Sequence, residues 1–365
     1  MRKALVFILA AGLLLAPLFS GPADVEAAGG LQVLGSGVEV DFPMKVNFNL
    51  SAASDADITD IRLRYIVDRM SHAKIVSEVY LDFAPATQVD VGWGWDMRKS
   101  GGVPPGSSVS YWWTVEDASG GETKTEPAVV HIDDSRYPWQ SLSDGLLTLY
   151  WYEGDGAFAR ELMNTAQQAL VRLHSYAGAE LVSPASVYIY AKSEDLLGAM
   201  IFPQEWTGGV AYTQFSTIAI GIAPDELDWG KRAMTHELTH LVIHQVVFNP
   251  YNDLPTWLDE GLAMYAEGSL EPVFVSLLVE AIKEDGLITV RSLSSPFSAD
   301  AKESALAYAQ SYSLIDLLIS NYGQSQMLEL LGTFHEGSGY DEALLKVYGF
   351  DMDGLNRLWL SYIVK

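Results

Sequence analysis

His236, Glu237 and His240 stand in the order H-E-L-T-H, a spacing suited to metal chemistry. On a helix, positions four apart sit one turn apart on the same face, so both imidazoles can point at one ion. Glu237 lies beside them, placed to take a proton from water activated by that ion. Two histidines hold such an ion poorly, and a third ligand is needed. Glu260, in W-L-D-E-G-L-A, is the candidate: it follows His240 by 20 residues, enough for one helix to end and a second to return alongside. Zinc suits this set, because it accepts neutral imidazole and carboxylate in tetrahedral geometry and has no redox chemistry of its own. The expected cofactor is therefore one Zn2+ per chain on His236, His240 and Glu260, with Glu237 as general base. The plain alternative is a helix that carries two structural histidines.

His244 continues the same stripe. It lies two turns, about 12 Å, beyond His236, too far along the axis to share one ion. A metzincin pattern would need Gly at 243 and His at 246; Ile243 and Val246 stand there and exclude it. His244 is expected to line the cleft or to support a ligand. Asp259 and Glu267 flank Glu260 on its helix, and either can orient a ligating histidine. Asp259 points about 100° away from Glu260 and is not expected on the metal. His335 and Glu336 lack a second histidine and read as surface.

H-E-x-x-H followed 20 residues later by a helical Glu resembles the gluzincin metallopeptidases, the thermolysin and aminopeptidase-N clan. The wording HELTH…P.WLDEGLA is most similar to bacterial peptidase MA-like proteins. The resemblance covers about 230–365 and thins toward 140. It implies an α+β, thermolysin-like domain whose sheet edge pairs with an extended polypeptide substrate. Thr217, Ile218, Ala219 and Ile220 occupy that strand's place in chain order, and are the expected substrate-binding residues. It also implies an oxyanion donor early in a later helix, in a Y-x-K-G segment. Tyr308-Ala309-Gln310-Ser311 resembles that segment, with Gln and Ser in place of Lys and Gly. Tyr308 is the expected catalytic donor and Tyr312, one turn on, the alternative. The aminopeptidase-N branch carries G-A-M-E-N near the edge strand, and its Glu holds the substrate's amino terminus. The segment Gly208–Tyr212, read as a loop, has no Glu at the comparable place, with Glu205 the nearest. An endopeptidase is thus implied; the alternatives are an aminopeptidase of the same clan and a catalytically silent cell-surface binding protein.

Composition sets the surroundings. The net charge of −25 and pI near 4.5, without a basic stripe, argue against nucleic acid as a partner. Arg2 and Lys3 precede an apolar run, Ala4 to Phe19, and then small residues. Residues 1–28 read as a secretory signal peptide cut near Ala27 or Ala28, with a retained anchor as the alternative. No later stretch reads as a membrane span, and the location expected is outside the cytoplasmic membrane. The chain has no cysteine, which excludes disulfides and an acylated-cysteine anchor.

The positioning elements fall into two domains. Over 30–133 apolar residues alternate with polar ones, as in Val46, Phe48 and Leu50, in Ile61, Leu63, Tyr65 and Val67, or in Val109, Tyr111, Trp113 and Val115. This predicts an antiparallel β-sandwich of about seven strands, and P-P-G-S-S-V-S-Y-W-W-T-V-E-D resembles immunoglobulin-like or fibronectin-type modules. The domain is read as a spacer, or as a module that docks substrate or cell surface. Trp93, Trp95, Trp112 and Trp113 suit sandwich packing better than a carbohydrate platform. Over 134–365 strands come first, at 146–152, 187–190 and 217–222, with a helix at 158–177 between them. Helices then follow at about 229–248, 256–267, 271–285, 302–320, 324–334, 340–347 and 352–363. A sheet lobe against a helical lobe is the expected α+β arrangement.

Overall fold

The computed structural model describes residues 30–204, 207–251 and 253–363. The expected signal segment, 1–28, and Glu205 lie outside the described residues. Among these, the amino-terminal strands are β1 (Gln32–Asp41), β2 (Lys45–Val67), β3 (Ser77–Tyr80), β4 (Ala86–Asp96), β5 (Ser107–Asp117), β6 (Glu122–Lys124) and β7 (Ala128–Ile132). They form one seven-stranded sheet with antiparallel neighbours. The rows expected at 46–50 and 61–67 are one continuous strand, β2. Its first half pairs with β1 and β4, its second with β3 and β5. Register shifts between Ala53 and Ile58, and between Ile58 and Asp60, mark where it turns from one layer to the other.

The two layers face each other over a buried core. Phe48 of the first half meets Tyr111 edge-on at 5.2 Å and stacks on Tyr65 at 6.5 Å. Val46, Leu63, Trp113 and Val115 are buried around them. The seven strands are as expected, but hydrogen bonding runs unbroken from one layer to the other through β2, whereas an immunoglobulin-like sandwich keeps two separate sheets. Trp113 and Trp95 are buried, and Trp93 stacks on Phe48 at 5.9 Å, so these rings are packing and form no platform.

The second part contains β8 (Gln140–Asp144), β9 (Leu147–Trp151), α1 (Gly156–Ala177), β10 (Ala185–Tyr190), α2 (Ser193–Leu197), β11 (Gly209–Tyr212) and β12 (Thr217–Gly221). Then come α3 (Leu227–Val247), α4 (Thr256–Glu267), α5 (Pro272–Glu284), α6 (Ala301–Tyr322), α7 (Gln324–His335), α8 (Tyr340–Tyr348) and α9 (Met352–Ile363). Asp155 starts α1 by accepting from the Ala157 and Phe158 amides, and Asp300 caps α6 in the same way. The sheet order is β11-β12-β10-β9-β8, with β9, β10 and β12 parallel and the outer strands antiparallel. Helices α1 and α3 cover one face, burying Leu162, Ala166, Met234, Leu238 and Val242 with Ile218 and Ile220. The other face, with Tyr188, Tyr190 and Ala219, joins the core of the amino-terminal sheet. The two parts meet at buried Asp134, which accepts from Arg136 at 2.6 Å and from the Tyr190 hydroxyl at 2.9 Å.

One expectation is corrected by this order. Thr217, Ile218, Ala219 and Ile220 form β12, which is bonded on both sides, to β11 and to β10. All four residues are buried. Their backbone is already paired and cannot accept a substrate strand. The edge strand on that side is β11, Gly209–Tyr212, the segment read from sequence as a loop.

Candidate metal centre

Helix α3 buries Leu238, Leu241 and Val242 in the core and turns His236 and His240 toward α4. The two imidazole rings lie 4.8 Å apart. Glu260, on α4, brings its Oε2 to 3.3 Å from Nε2 of each histidine. Ligand atoms of these three residues all lie within 4.8 Å of one another. Gly261 makes this possible, because a Cβ there would stand 2.6 Å from the Ser311 carbonyl oxygen and from Ile315 Cγ1 of α6. The missing side chain lets α4 and α6 approach closely.

The outer nitrogens of both rings are held by carboxylates. His236 Nδ1 donates to Glu267 Oε1 at 2.8 Å, and His240 Nδ1 donates to Asp259 Oδ1 at 2.9 Å. A carboxylate only accepts, so Nδ1 carries a proton on each ring and Nε2 is the nitrogen left to face Glu260. Each supporting carboxylate is itself held. Arg232 reaches Glu267 Oε2 at 3.0 Å and Glu271 at 3.3 Å. His244 donates from Nε2 to Asp259 Oδ2 at 3.0 Å. Asp259 and Glu267 thus take the supporting positions expected of them. His244 supports His240 at one remove, and Arg232, which nothing in the motif marks, does so for His236.

The donor set fits zinc. Glu260 Oε2 is buried and accepts no hydrogen bond. Tetrahedral coordination with bonds of about 2.0–2.1 Å puts neighbouring ligand atoms about 3.3 Å apart, the separation of Oε2 from each Nε2. The electrostatics point the same way. Burial works against a charged His236, yet Glu260 and Glu267 raise its pKa to about 9. Burial works against ionised Glu260 too, but His240 and His236 lower its pKa to about 2. A pocket that pulls this hard on a proton also favours a divalent cation.

Glu237 extends toward the sheet edge. A Cβ on Gly209 would lie 2.9 Å from Glu237 Oε1, so β11 passes directly over this carboxylate. Burial, opposed by the charges of His236 and His240, raises the pKa of Glu237. Tyr308, on α6, has its ring 6.3 Å from that of His236 and edge-on to Phe297 at 5.2 Å. Burial, then the negative charges of Glu260 and Glu237, raise its pKa, which keeps the phenol protonated as a donor. Tyr312 packs instead on Tyr265, at 5.7 Å. His335 and Glu336 are exposed, and Glu336 pairs with Lys346 at 2.9 Å.

Residues 165–365, more than half of the chain, match the family model of the Peptidase MA superfamily. No curated protein matches the sequence. Among solved structures, an M1 zinc metallopeptidase from Deinococcus radiodurans is similar at 14% identity and a TM-score of 0.38, over 91% of this chain and 94% of that one. Aminopeptidase A from Legionella pneumophila, in complex with aspartic acid, is similar at 11% identity and a TM-score of 0.41, over 92% of this chain and 51% of that one. OgpA from Akkermansia muciniphila is similar at 7% identity and a TM-score of 0.22, over 29% of this chain and 28% of that one, so the match spans under a third of that protein's length. By the match over its carboxyl-terminal part, this chain belongs to the Peptidase MA superfamily.

Proposed function

We propose that the chain is a zinc-dependent endopeptidase that acts outside the cytoplasmic membrane. The single observation that carries the catalytic part is the convergence of His236 Nε2, His240 Nε2 and the unpartnered Glu260 Oε2, with Glu237 alongside. Zinc bound by these three residues supplies Lewis acidity, which brings the ionisation of water toward neutral pH. Glu237 accepts the proton of the attacking water and returns it to the leaving nitrogen. The Tyr308 phenol donates a hydrogen bond to the oxygen that becomes negative. Asp259 and Glu267 hold the histidine rings in the orientation and tautomer that leave Nε2 free. Strand β11 offers its outer edge to an extended peptide, whose backbone adds to the sheet whatever its sequence.

The endopeptidase assignment is supported by the edge strand itself. Gly209, Val210, Ala211 and Tyr212 include no carboxylate to hold a free amino terminus. Export is supported by the charged and apolar character of residues 1–28. Among the described residues no helix is long and apolar enough to cross a membrane.

The test is digestion of an unfolded protein by the purified chain, with fragments identified by mass. Internal cuts that stop with a chelator and return with zinc are expected. Single residues shed from the amino terminus would replace the endopeptidase assignment with an aminopeptidase. Intact substrate in the presence of bound zinc would remove the catalytic proposal.

A further inference from the structure

The segment between β2 and β3 leaves the amino-terminal sheet and reaches the elements that flank the metal centre. The Met70 amide donates to the Gln214 carbonyl at 2.7 Å, in the turn that follows β11. His72 stacks on Phe248, at the end of α3, with ring centroids 4.3 Å apart and planes within 6°. Beneath this bridge lies a cavity of about 260 Å³. Met70, Val247, Phe248 and Leu254 supply apolar walls on one side; the rest of the lining is polar, with His244 from α3, Asn249 after it and the exposed Asp253 at the border.

We propose that this cavity is a side-chain subsite of the substrate cleft, with one wall built by the amino-terminal domain. It takes an apolar side chain of leucine or methionine size, from a residue on the amino-terminal side of the cleaved bond. This rests on the peptidase function proposed above. Strand β11 begins at Gly209, against Glu237, and ends at Tyr212; Thr213, the next residue, lines the cavity. A peptide added antiparallel, the stronger pairing, runs opposite to β11 and lays its amino-terminal residues beside Tyr212. At about 3.4 Å per residue, the cavity then serves a position roughly two to four residues before the bond.

Size and chemistry narrow the occupant. Pockets for whole small ligands run to about 300–1,000 Å³, so this smaller space suits one side chain. An acidic side chain would exchange water for the hydrocarbon of Val247, Leu254 and Met70 and would face the Asp253 carboxylate at the border, and both cost free energy. A leucine or methionine gains by the same transfer. The amino-terminal domain is then part of the specificity apparatus.

The experiment uses the full chain and two variants at Met70, which lies outside the catalytic machinery. Met70→Trp narrows the cavity and Met70→Ala enlarges it. Each protein digests the same unfolded protein mixture with zinc supplied, and the residues around every cut are tabulated from fragment masses. Thermal melting identifies any variant that fails to fold. Wild type is expected to favour Leu or Met at one position two to four before the cut. Met70→Trp should weaken that preference about tenfold while still cutting sites with Gly or Ala there. Met70→Ala should shift the preference toward Phe. Absence of any apolar preference there in wild type, or a profile that a folded variant leaves unchanged, overturns the subsite but leaves the peptidase intact. If wild type cuts nothing, the peptidase function fails and the subsite fails with it.

Discussion

Nδ1 of His240 lies 2.9 Å from Oδ1 of Asp259, the residue immediately before the third candidate ligand. One turn of α4 therefore contributes both a ligand and the clamp for another ligand. Asp259 spans two histidines of α3, because its other oxygen accepts from His244. The pair explains how a short return helix fixes the metal site with few residues.

Asp259→Ala should weaken zinc binding about 10- to 100-fold, since supporting carboxylates of this kind contribute that much to affinity. His244→Ala, one step further out, should cost less. Chelator competition measures both. Equal affinity in wild type and Asp259→Ala would show that the clamp has no energetic role.

Gly209→Ala should lower kcat/KM about 100-fold with zinc retained. The added methyl meets Glu237 at about 3 Å, so the carboxylate or the strand must move, and a displacement of about 1 Å at a reacting group has an effect of this size. Wild-type kinetics in this variant would mean that β11 does not press on the base.

Tyr308→Phe should reduce kcat by about 100- to 1,000-fold, the cost of losing one oxyanion donor, and leave zinc content unchanged. Tyr312→Phe should stay near wild type, because Tyr312 packs on Tyr265. The reverse pattern in kcat would move the donor to Tyr312.

Zinc affinity should fall as pH drops below about 9. The His236 ring holds its second proton up to about that pH, and the metal must displace it. Each proton displaced weakens binding about tenfold per pH unit. His240, also raised by Asp259 and Glu260 against the effect of burial, adds to the slope. Dissociation constants measured between pH 6 and 9 give the slope, and a flat profile would contradict the charge assignments of the site.

The helices of the second part were legible because their apolar positions recur at three and four, and α4 falls at Thr256–Glu267 as the spacing predicts. The cluster of His236, His240 and Glu260, with its supporting carboxylates, is legible for the same reason: helical spacing fixes which side chains share a face. Lateral strand order was not legible. Chain order put β12 at the edge, whereas β11, four residues beginning with glycine, folds back outside it. Strand β4 keeps the period of two in Val89, Val91, Trp93 and Trp95, but Gly92 and Gly94 on its other face weaken the strand signal, and β2 reads as two strands because its apolar pattern lapses between Ala53 and Ile58. Arg232 and the stack of His72 on Phe248 depend on contacts distant in sequence, which no local pattern encodes.

The most direct measurement compares wild type with Glu237→Gln, both loaded with zinc to the same stoichiometry, on one unfolded protein substrate. Internal cuts by wild type and none by Glu237→Gln are the predicted result. Equal cleavage by the two proteins would contradict the central claim, because the carboxylate that lies against Gly209 would then not be the base.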